Sequence, residues 1–272
     1  MSSRFPATVQ LSLDEFARHG GGTGVHRDGW GIAYYEEGDV RLLKEAVPAS
    51  DSALVRFIQR HPPASTMVVS HIRKATQGDH RFANCQPFVR ELGGRTHVFA
   101  HNGNLARPAL DDALPLGTFH PVGTTDSEYA YCALLERLRP MWQQGGVPPL
   151  DDRVAAVAEI AAALRPLGPA NFVYTDGDAL FVHGHRRTQR DGTIRAPGVH
   201  VLCRSCAAAT GAFSTPGLDI TAGGDVAQEV VLAASVPLTD EPGWTALAEG
   251  ELLVIRGGEI VARRRPDAAD AA

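Results

Sequence analysis

The 272-residue sequence lacks the features of several broad protein classes. It has only 4 cysteines, too few and too scattered for a disulfide framework. No apolar run approaches the roughly 20 residues of a membrane-spanning helix, and no apolar signal-peptide core follows Met1. The formal net charge of −5 argues against sequence-independent binding to nucleic acid or to an anionic membrane, because both need basic surfaces. We therefore expect a soluble protein of the cytoplasm.

The residues that are present predict a sizeable core. Hydrophobic residues make up 44% of the chain, enough for a core that needs no disulfides or metals. Runs rich in β-branched and aromatic residues predict strands, and periodic apolar runs predict helices. The predicted strands are 30–35, 40–44, 67–69, 98–100, 171–174, 179–183, 199–203, 230–235, 252–256 and 260–263. The predicted helices are 11–19, 50–59 (capped by Ser50), 129–138 and 151–164, with a loop at 105–123. The pattern alone indicates an α+β fold in one domain, residues 1–263, followed by a disordered tail, residues 264–272.

Polar side chains follow two of the predicted buried strands. Arg73 comes shortly after the run at 67–69, and Asn102 and Gly103 follow the run at 98–100. Burying polar groups at strand ends is costly unless they are used or paired, so this stretch is the first candidate for a site. Two ordinary explanations stay open. Asn-Gly is also a strong hairpin-turn signal, and Arg73 could be a surface charge at a strand end.

Taken together, these residues resemble a known family. Five features come in the order found in class II glutamine amidotransferases, whose nucleophile is N-terminal. They are Arg73, Asn84, Pro87-Phe88, the His-Asn-Gly at 101–103 and the Thr-Asp-Ser-Glu at 125–128. The block at 26–35 is similar to the first recognisable block of that family. The resemblance covers residues 2–138 and, more weakly, 230–256. It implies a four-layer αββα sandwich.

The resemblance also assigns roles to individual residues. It implies that Arg73 holds the α-carboxylate of glutamine, for which its planar guanidinium is suited, and that Asp126 takes the α-ammonium group. It includes Thr76 in the substrate site. The side chain of Asn102 and the backbone N–H of Gly103 correspond to the oxyanion site. Asp126 has an alternative reading as a helix-capping residue, because Thr125-x-x-Glu128 has the spacing of a capping box.

The nucleophile expected from the resemblance is not in the sequence. In the family it is a cysteine exposed by removal of the initiator methionine, whereas the first cysteine here is Cys85. Ser2 is a weak substitute, because the resemblance puts it in the loop after the first strand. We expect that Met1 is an internal methionine and that the native protein begins a few residues earlier with Met-Cys. Without those upstream residues, we expect one sheet to lack an inner strand. Gln86 departs from the histidine that many members have.

Other candidate residues have simpler explanations. Cys203 and Cys206 have the spacing of a redox pair or half a zinc site, but buried structural cysteines are commoner. His183, His185 and His200 could ligate a metal, yet we expect them to be surface or strand-end histidines. We expect neither a metal nor another cofactor.

The sequence therefore predicts a stand-alone glutaminase-type amide hydrolase acting on glutamine or a γ-glutamyl compound. Ammonia would pass to a synthase partner, or a γ-glutamyl amide would be hydrolysed outright. A family member without catalytic activity, which binds a glutamine-like ligand or a partner, is the competing hypothesis, because the cysteine is missing.

Overall fold

The structure is a computed structural model that describes residues 1–11, 28–73, 79–206, 212–215, 218–222 and 227–266. Its helices are α1 (Ala53–Arg60), α2 (Arg107–Ala113), α3 (Asp126–Trp142) and α4 (Leu150–Leu164). Its strands are β1 (Ser2–Leu11), β2 (Trp30–Glu36), β3 (Asp39–Glu45), β4 (Ala64–Ile72), β5 (Phe88–Leu92), β6 (Arg95–Gly103), β7 (Ala170–Thr175), β8 (Leu180–Gly184), β9 (Arg187–Thr188), β10 (Ile194–Arg195), β11 (His200–Cys206), β12 (Ala212–Thr215), β13 (Leu218–Ala222), β14 (Gln228–Ala234), β15 (Thr245–Ala246), β16 (Glu251–Arg256) and β17 (Glu259–Arg264). None of the described helices is long and apolar enough to cross a membrane.

The strands form two large antiparallel sheets. The first has the order β15-β11-β14-β1-β4-β2-β3, with β13 pairing with β1 and β12 with β13. The second has the order β17-β16-β8-β7-β6-β5. The strands β9 and β10 make a separate small hairpin. The predicted strands 30–35 and 40–44 pair as the hairpin β2–β3, and 171–174 and 179–183 pair as β7–β8. The predicted strands 252–256 and 260–263 also pair, as β16–β17.

Alternating side chains on each strand place the sheets between layers of helix. Ala33 on β2 packs with Val98 and Ala100 on β6, in the cluster that joins the two sheets. The intervening Ile32 packs outward with Ile58 of α1. Side chains alternate between the two faces of a strand, so each sheet has an inner and an outer apolar face.

The outer face of the second sheet is covered by the long helices. Phe99 of β6 belongs to the same buried cluster as Leu134 of α3 and Val157 of α4. The layers therefore run helix, sheet, sheet, helix, which confirms the predicted αββα sandwich.

Several predicted boundaries are wrong. Helix α1 begins at Ala53, and its cap is Ser52, whose Oγ accepts from the N–H of Val55 over 3.0 Å, so Ser50 is not the cap. The predicted loop at 105–123 contains α2, whose Leu110 is fully buried. The predicted helix at 129–138 extends over Asp126–Trp142. The predicted helix at 11–19 lies outside the described residues, apart from the last residue of β1.

The N-terminal segment also differs from the prediction. Ser2 is not in a loop, because it belongs to β1 and pairs with Val231 on one side and Met67 on the other. The first sheet therefore has a strand at the inner position between β14 and β4. At the other end, Arg264 is the last residue of β17, although we assigned it to the tail. Residues 267–272 lie outside the described residues.

Candidate active site

The guanidinium of Arg73 lies just beyond the end of β4 and is buried. Only 3% of the residue is exposed. Its backbone N–H donates to the carbonyl of Gly29 over 2.8 Å, and its own carbonyl accepts from the N–H of Asp28 over 3.2 Å. Its Nη1 donates to the carbonyl of Asp28 over 3.4 Å. The surface-charge alternative is therefore wrong, and a buried guanidinium is suited to an anionic ligand.

Gly29 brings the start of β2 against the loop that precedes β5. Its φ is +131°, and an added Cβ would lie 2.5 Å from the Sγ of Cys85. Burial raises the pKa of the Cys85 thiol, and the nearby charges of Lys44 and Arg73 oppose that shift. The Sγ donates to the carbonyl of Glu45 over 3.4 Å. Cys85 is thus a structural thiol close to Arg73, and a raised pKa makes it a poor nucleophile.

The side chain of Gln86 acts as a strand partner for His101. Strand β5 pairs with β6 only from Phe88, which lies opposite Phe99. Beyond that point Gln86 Oε1 accepts from the N–H of His101 over 2.6 Å, and its Nε2 donates to the carbonyl of His101 over 3.1 Å. A carboxamide offers the same donor and acceptor as a peptide group. Gln86 therefore fixes the backbone one residue before Asn102.

Asn102 and Gly103 end β6 in an extended conformation. They pair with Asn171 and Ala170 of β7, so the hairpin-turn alternative is wrong. An added Cβ on Gly103 would lie 1.8 Å from the carbonyl oxygen of Pro169, and only glycine fits there. The side chain of Asn102 is exposed. The last residues of β6 therefore present the exposed amide of Asn102 and, at Gly103, a backbone without a side chain of its own.

Asn171 joins β6 to the segment that follows β8. Its Nδ2 donates to the carbonyls of Asn102, over 2.9 Å, and Arg186, over 2.7 Å. Its Oδ1 accepts from the N–H of His185 over 2.7 Å. Only 2% of Asn171 is exposed. Sequence reasoning missed this residue, and its one signal was a polar side chain in a predicted buried strand.

Asp126 is held against the end of β6 by the start of α3. The cap of this helix is Thr125, whose Oγ1 accepts from the N–H of Glu128 over 3.2 Å, so the capping alternative for Asp126 is wrong. Instead, Asp126 Oδ2 accepts from the N–H of Leu105 over 2.7 Å. The helix N-terminus favours this carboxylate electrostatically. Asp126 and Gly103 are thus brought together through Leu105, two residues after Gly103.

Glu128 fixes the loop that leads into α3. Its carboxylate accepts from the N–H groups of Val122, over 3.1 Å, and Gly123, over 2.7 Å. It also forms an ion pair with Arg90 of β5. The reciprocal bond of a capping box is therefore replaced by contacts with the preceding loop. These contacts fix the first turn of α3, and with it Asp126.

His101 links β6 to α3 through Ser127. Its Nδ1 lies 2.9 Å from Ser127 Oγ, and its Nε2 lies 3.0 Å from the carbonyl oxygen of Pro169. Burial lowers the pKa of His101, and the charge of Asp126 opposes the shift. Because a carbonyl only accepts, Nε2 carries the hydrogen and the neutral Nδ1 accepts from the hydroxyl of Ser127. Sequence reasoning missed Ser127, although it directly follows Asp126.

The described contacts connect the predicted site residues into one assembly. Arg73 bonds to Gly29, which packs against Cys85. The neighbouring Gln86 holds His101, and His101 contacts the first turn of α3. The end of β4, the end of β6 and the start of α3 are therefore linked at one edge of the sandwich. Thr76 lies outside the described residues.

Ser2 is distant from this edge. It lies opposite Met67, and Arg73 follows six positions further along β4 (73 minus 67), which is about 20 Å at the usual rise of a strand. Only 1% of Ser2 is exposed, and its Oγ accepts from the N–H of Gly258 over 3.3 Å. Ser2 cannot attack a ligand held at Arg73 in this arrangement.

The candidate metal ligands differ from the expectation in two places. Cys203 is exposed, so it is not a buried structural cysteine, and the side chain of Cys206 lies outside the description. His183 is fully buried rather than at the surface, and burial lowers its pKa to about 3. Among the described residues, no group of three or more His, Cys, Asp or Glu side chains could hold a metal ion.

Comparison with known proteins decides the family. A family model of class-II glutamine amidotransferases matches residues 1–271. The chain belongs to the class II glutamine amidotransferases. Among curated relatives of this amidotransferase, the Escherichia coli protein YafJ, a candidate glutamine amidotransferase, is 35% identical over 267 residues, which cover 96% of this chain and 97% of YafJ. A similarly described Haemophilus influenzae protein is 30% identical over 264 residues, covering 96% of this chain and 84% of that protein.

Solved structures show the same amidotransferase fold. The crystal structure of a protein described as a predicted glutamine amidotransferase from Pseudomonas aeruginosa has a TM-score of 0.67 at 31% identity, covering 95% of this chain and 96% of that one. The glutamine phosphoribosylpyrophosphate amidotransferase of B. subtilis has a TM-score of 0.56 at 17% identity and covers 95% of this chain but 48% of that one. At that identity the likeness concerns the fold alone, and it agrees with the N-terminal-nucleophile type of sandwich.

Proposed function

We propose that this class II glutamine amidotransferase hydrolyses the side-chain amide of glutamine, or of a γ-glutamyl compound, through a cysteine thioester in the cytoplasm. The observation that carries the proposal is the linked edge formed by the end of β4, the end of β6 and the start of α3. These elements carry Arg73, Asn102 with Gly103, and Asp126, which are a cation, a pair of oxyanion donors and an anion. An α-amino acid with a reactive side-chain amide requires that combination.

Each residue has one role in this proposal. Arg73 binds the α-carboxylate in a charge-assisted contact, and Thr76 contributes to the same subsite. Asp126 accepts a hydrogen bond from the α-ammonium group, and the contact of its Oδ2 with the N–H of Leu105 orients the carboxylate. The exposed amide of Asn102 and the N–H of Gly103 stabilise the oxyanion.

We place the nucleophile on a cysteine ahead of Met1, in line with β1. The Met1 amine donates to the carbonyl of Val68 over 2.8 Å, and the N–H of Val68 donates back to the carbonyl of Met1 over 3.0 Å. Met1 thus lies opposite Val68. Each residue ahead of it would face the next residue of β4, so the fourth would face Ile72 and the fifth Arg73.

One observation favours that placement. Within the described residues, no strand pairs with β4 beyond Val68 on the side of β1, so a strand can pair there.

The chemical steps then follow from the proposed roles. The thiolate attacks the amide carbon, a C–S bond forms, and the developing oxyanion is held by Asn102 and Gly103. The C–N bond breaks, and the amine leaves with a proton supplied through the α-amine of the same cysteine, which acts as general base and acid. Water hydrolyses the thioester and releases glutamate. The ammonia passes to a synthase partner, or the amine of a γ-glutamyl amide is released to solvent.

A second candidate is a family member that binds such a ligand without turning it over. The positions of the described cysteines favour this candidate, because Cys85 and Cys132 are buried and Cys203 is exposed on β11. Burial raises the pKa of the Cys85 and Cys132 thiols, which makes both poor nucleophiles. This candidate keeps the same subsite for the amino-acid end of the ligand.

Calorimetric titration with L-glutamine tests the shared ligand site. We expect binding by the chain and its loss in Arg73→Ala, whereas Arg41→Ala, which removes an exposed arginine paired with Glu36, should leave it unchanged. Equal weak binding by all three proteins would remove the amidotransferase pocket from the proposal.

Ammonia release then separates the two candidates. A protein extended upstream by a Met-Cys segment should release ammonia from glutamine, or glutamate and the free amine from a γ-glutamyl amide, and its Cys→Ala variant should not. The chain beginning at Met1 should be inactive. Turnover by that chain, abolished in Ser2→Ala, would show that the serine is the nucleophile after all.

A further inference from the structure

A short hairpin rich in arginine lies beside the end of β6. Residues 186–195 contain four arginines and a single acidic residue, Asp191, in a chain whose net charge is −5. The pairing of β9 with β10 puts Arg187 directly opposite Arg195. Like charges in that position destabilise a hairpin unless an anion compensates them. We refer to residues 186–195 as the arginine hairpin.

Two of these arginines are compensated within the protein. Arg186 forms an ion pair with Glu249 over 2.5 Å, and Arg195 forms one with Asp191 over 3.1 Å. Both pairs are at the surface, where such contacts contribute little to stability. They leave no acidic side chain of the hairpin for the remaining two arginines.

Arg187 and Arg190 form no ion pair within the described part of the chain. Among the described residues, the Arg187 side chain makes one hydrogen bond, from Nη1 to the carbonyl of Thr188 over 3.4 Å, and its buried Nε has no partner there. Burial and the neighbouring charge of Arg190 both lower the pKa of Arg187. A buried, unpaired donor costs free energy, so this guanidinium is arranged to accept a negatively charged partner.

His200 adds a third group at the same place. It begins β11, and its Nδ1 is buried without a hydrogen-bond partner among the described residues. Burial and the charge of Arg187 both lower the pKa of His200. An anion between them would favour the protonated imidazole, and Nδ1 would then donate to it.

The arginine hairpin borders the proposed catalytic edge on two sides. Asn171 bonds to the carbonyls of both Asn102 and Arg186, so the hairpin begins next to the oxyanion residues. His200 lies opposite Ala234 at the end of β14, and β14, β1 and β4 follow one another in the sheet. Three strand spacings, about 14 Å, separate β11 from β4 across the sheet, and the strand registers put His200 level with Ser70, three positions before Arg73.

We propose that Arg187, Arg190 and His200 form an anion subsite that binds a carboxylate on the amine portion of a γ-glutamyl substrate. This inference rests on the proposed function and narrows it. The α-carboxylate is bound at one end by Arg73, the scissile amide lies at Asn102, and the second carboxylate lies at the arginine hairpin. Free glutamine has no group for that subsite, so the preferred substrate is a γ-glutamyl amino acid.

The test compares two ligands that differ only in this charge. γ-L-Glutamylglycine carries the second carboxylate, and γ-L-glutamylglycinamide has a neutral carboxamide instead. Calorimetric titration of the full chain should show about 10- to 100-fold tighter binding of the glycine compound, which is the range for a hydrogen bond to a charged group. The preference should fall in Arg187→Gln and Arg190→Gln and vanish in the double variant.

The control variant is Arg137→Gln, which removes an exposed arginine of α3 that pairs with Glu159. It should keep the full preference, and thermal melts of all variants should show that the hairpin substitutions leave the fold intact. L-Glutamine is titrated in parallel, since it requires only the Arg73 end of the site. Its affinity should be unchanged in the double variant.

The outcomes separate the two proposals. Glutamine binding that depends on Arg73, without any preference between the two dipeptide ligands, would overturn the anion subsite and leave the proposed function in place. A preference that persists in the double variant would also overturn it. Absence of binding by all three ligands would overturn both proposals.

Discussion

Replacing Gln86 with leucine tests whether its carboxamide holds the end of β6. The substitution keeps a side chain of similar size and removes the two hydrogen bonds to His101, of 2.6 and 3.1 Å. His101 is 2% exposed, so its N–H and C=O would both be left unpaired. An unsatisfied buried polar group costs about 1–3 kcal/mol. The expected loss in the free energy of unfolding for the two groups is therefore about 2–6 kcal/mol.

Gln86→Glu separates the two bonds. A carboxylate still accepts from the N–H of His101, but it cannot donate to the carbonyl, and it brings a negative oxygen against that carbonyl. We expect this nearly isosteric variant to be destabilised as well, although its N–H contact survives. The His101 amide should therefore remain more protected from hydrogen exchange in Gln86→Glu than in Gln86→Leu.

Equilibrium urea unfolding gives the free energies, and hydrogen exchange of the His101 amide reports the local effect. Gln143→Leu is the control, because Gln143 is exposed at the end of α3 and surface substitutions usually change stability by less than about 0.5 kcal/mol. If Gln86→Leu unfolds like the wild type and the His101 amide stays equally protected, the carboxamide does not act as a strand partner.

Three further predictions concern other parts of the molecule. Arg153→Met should lower the free energy of unfolding by about 3–5 kcal/mol, because it leaves the fully buried Asp176 without its ion-pair partner; a loss below about 1 kcal/mol in urea unfolding would contradict this. Gly103→Ala should cost about 1–3 kcal/mol by forcing β6 and β7 apart, whereas Gly117→Ala, whose Cβ would meet its nearest atom at 3.5 Å, should not. The pKa of His183 is lowered to about 3 in the folded protein, whereas a histidine in the unfolded chain has a pKa near 6.5. Between these two values the unfolded state binds one more proton, so the free energy of unfolding should fall by about 1.4 kcal/mol per pH unit as the pH drops from 6 toward 3. This dependence of stability on pH should be weaker in His183→Leu.

Local patterns predicted most of the regular elements. The hairpin β2–β3 could be located because a Glu-Gly turn at 37–38 separates two runs with strand periodicity, and Glu37 and Gly38 both have positive φ. Helix α2 was missed because Pro108 was read as a loop residue, although proline is well tolerated in the first turn of a helix. The sandwich arrangement came from the family resemblance, since periodicity does not say which sheet a strand joins.

The site was predictable as a set of residue types but not as a set of contacts. Arg73, Asn102, Gly103 and Asp126 could be named from their order in the chain. The partners of these residues could not, because Asn171 donates to a carbonyl 69 residues away, and Asp126 accepts from a backbone N–H 21 residues away. No periodicity records such long-range pairs. The predicted position of Ser2 is wrong for the same reason, since the register of β1 depends on strands far along the chain.

The pairing of β1 has a consequence for synthesis on the ribosome. Ser2 pairs with Val231, 229 residues later (231 minus 2). At translation rates of about 5–20 residues per second, that strand becomes available roughly 10–45 s after Ser2 is made. Until then one edge of β1 is open to other chains, and such edges promote aggregation. A nascent chain of this protein should therefore depend on protection by a chaperone until its C-terminal strands emerge.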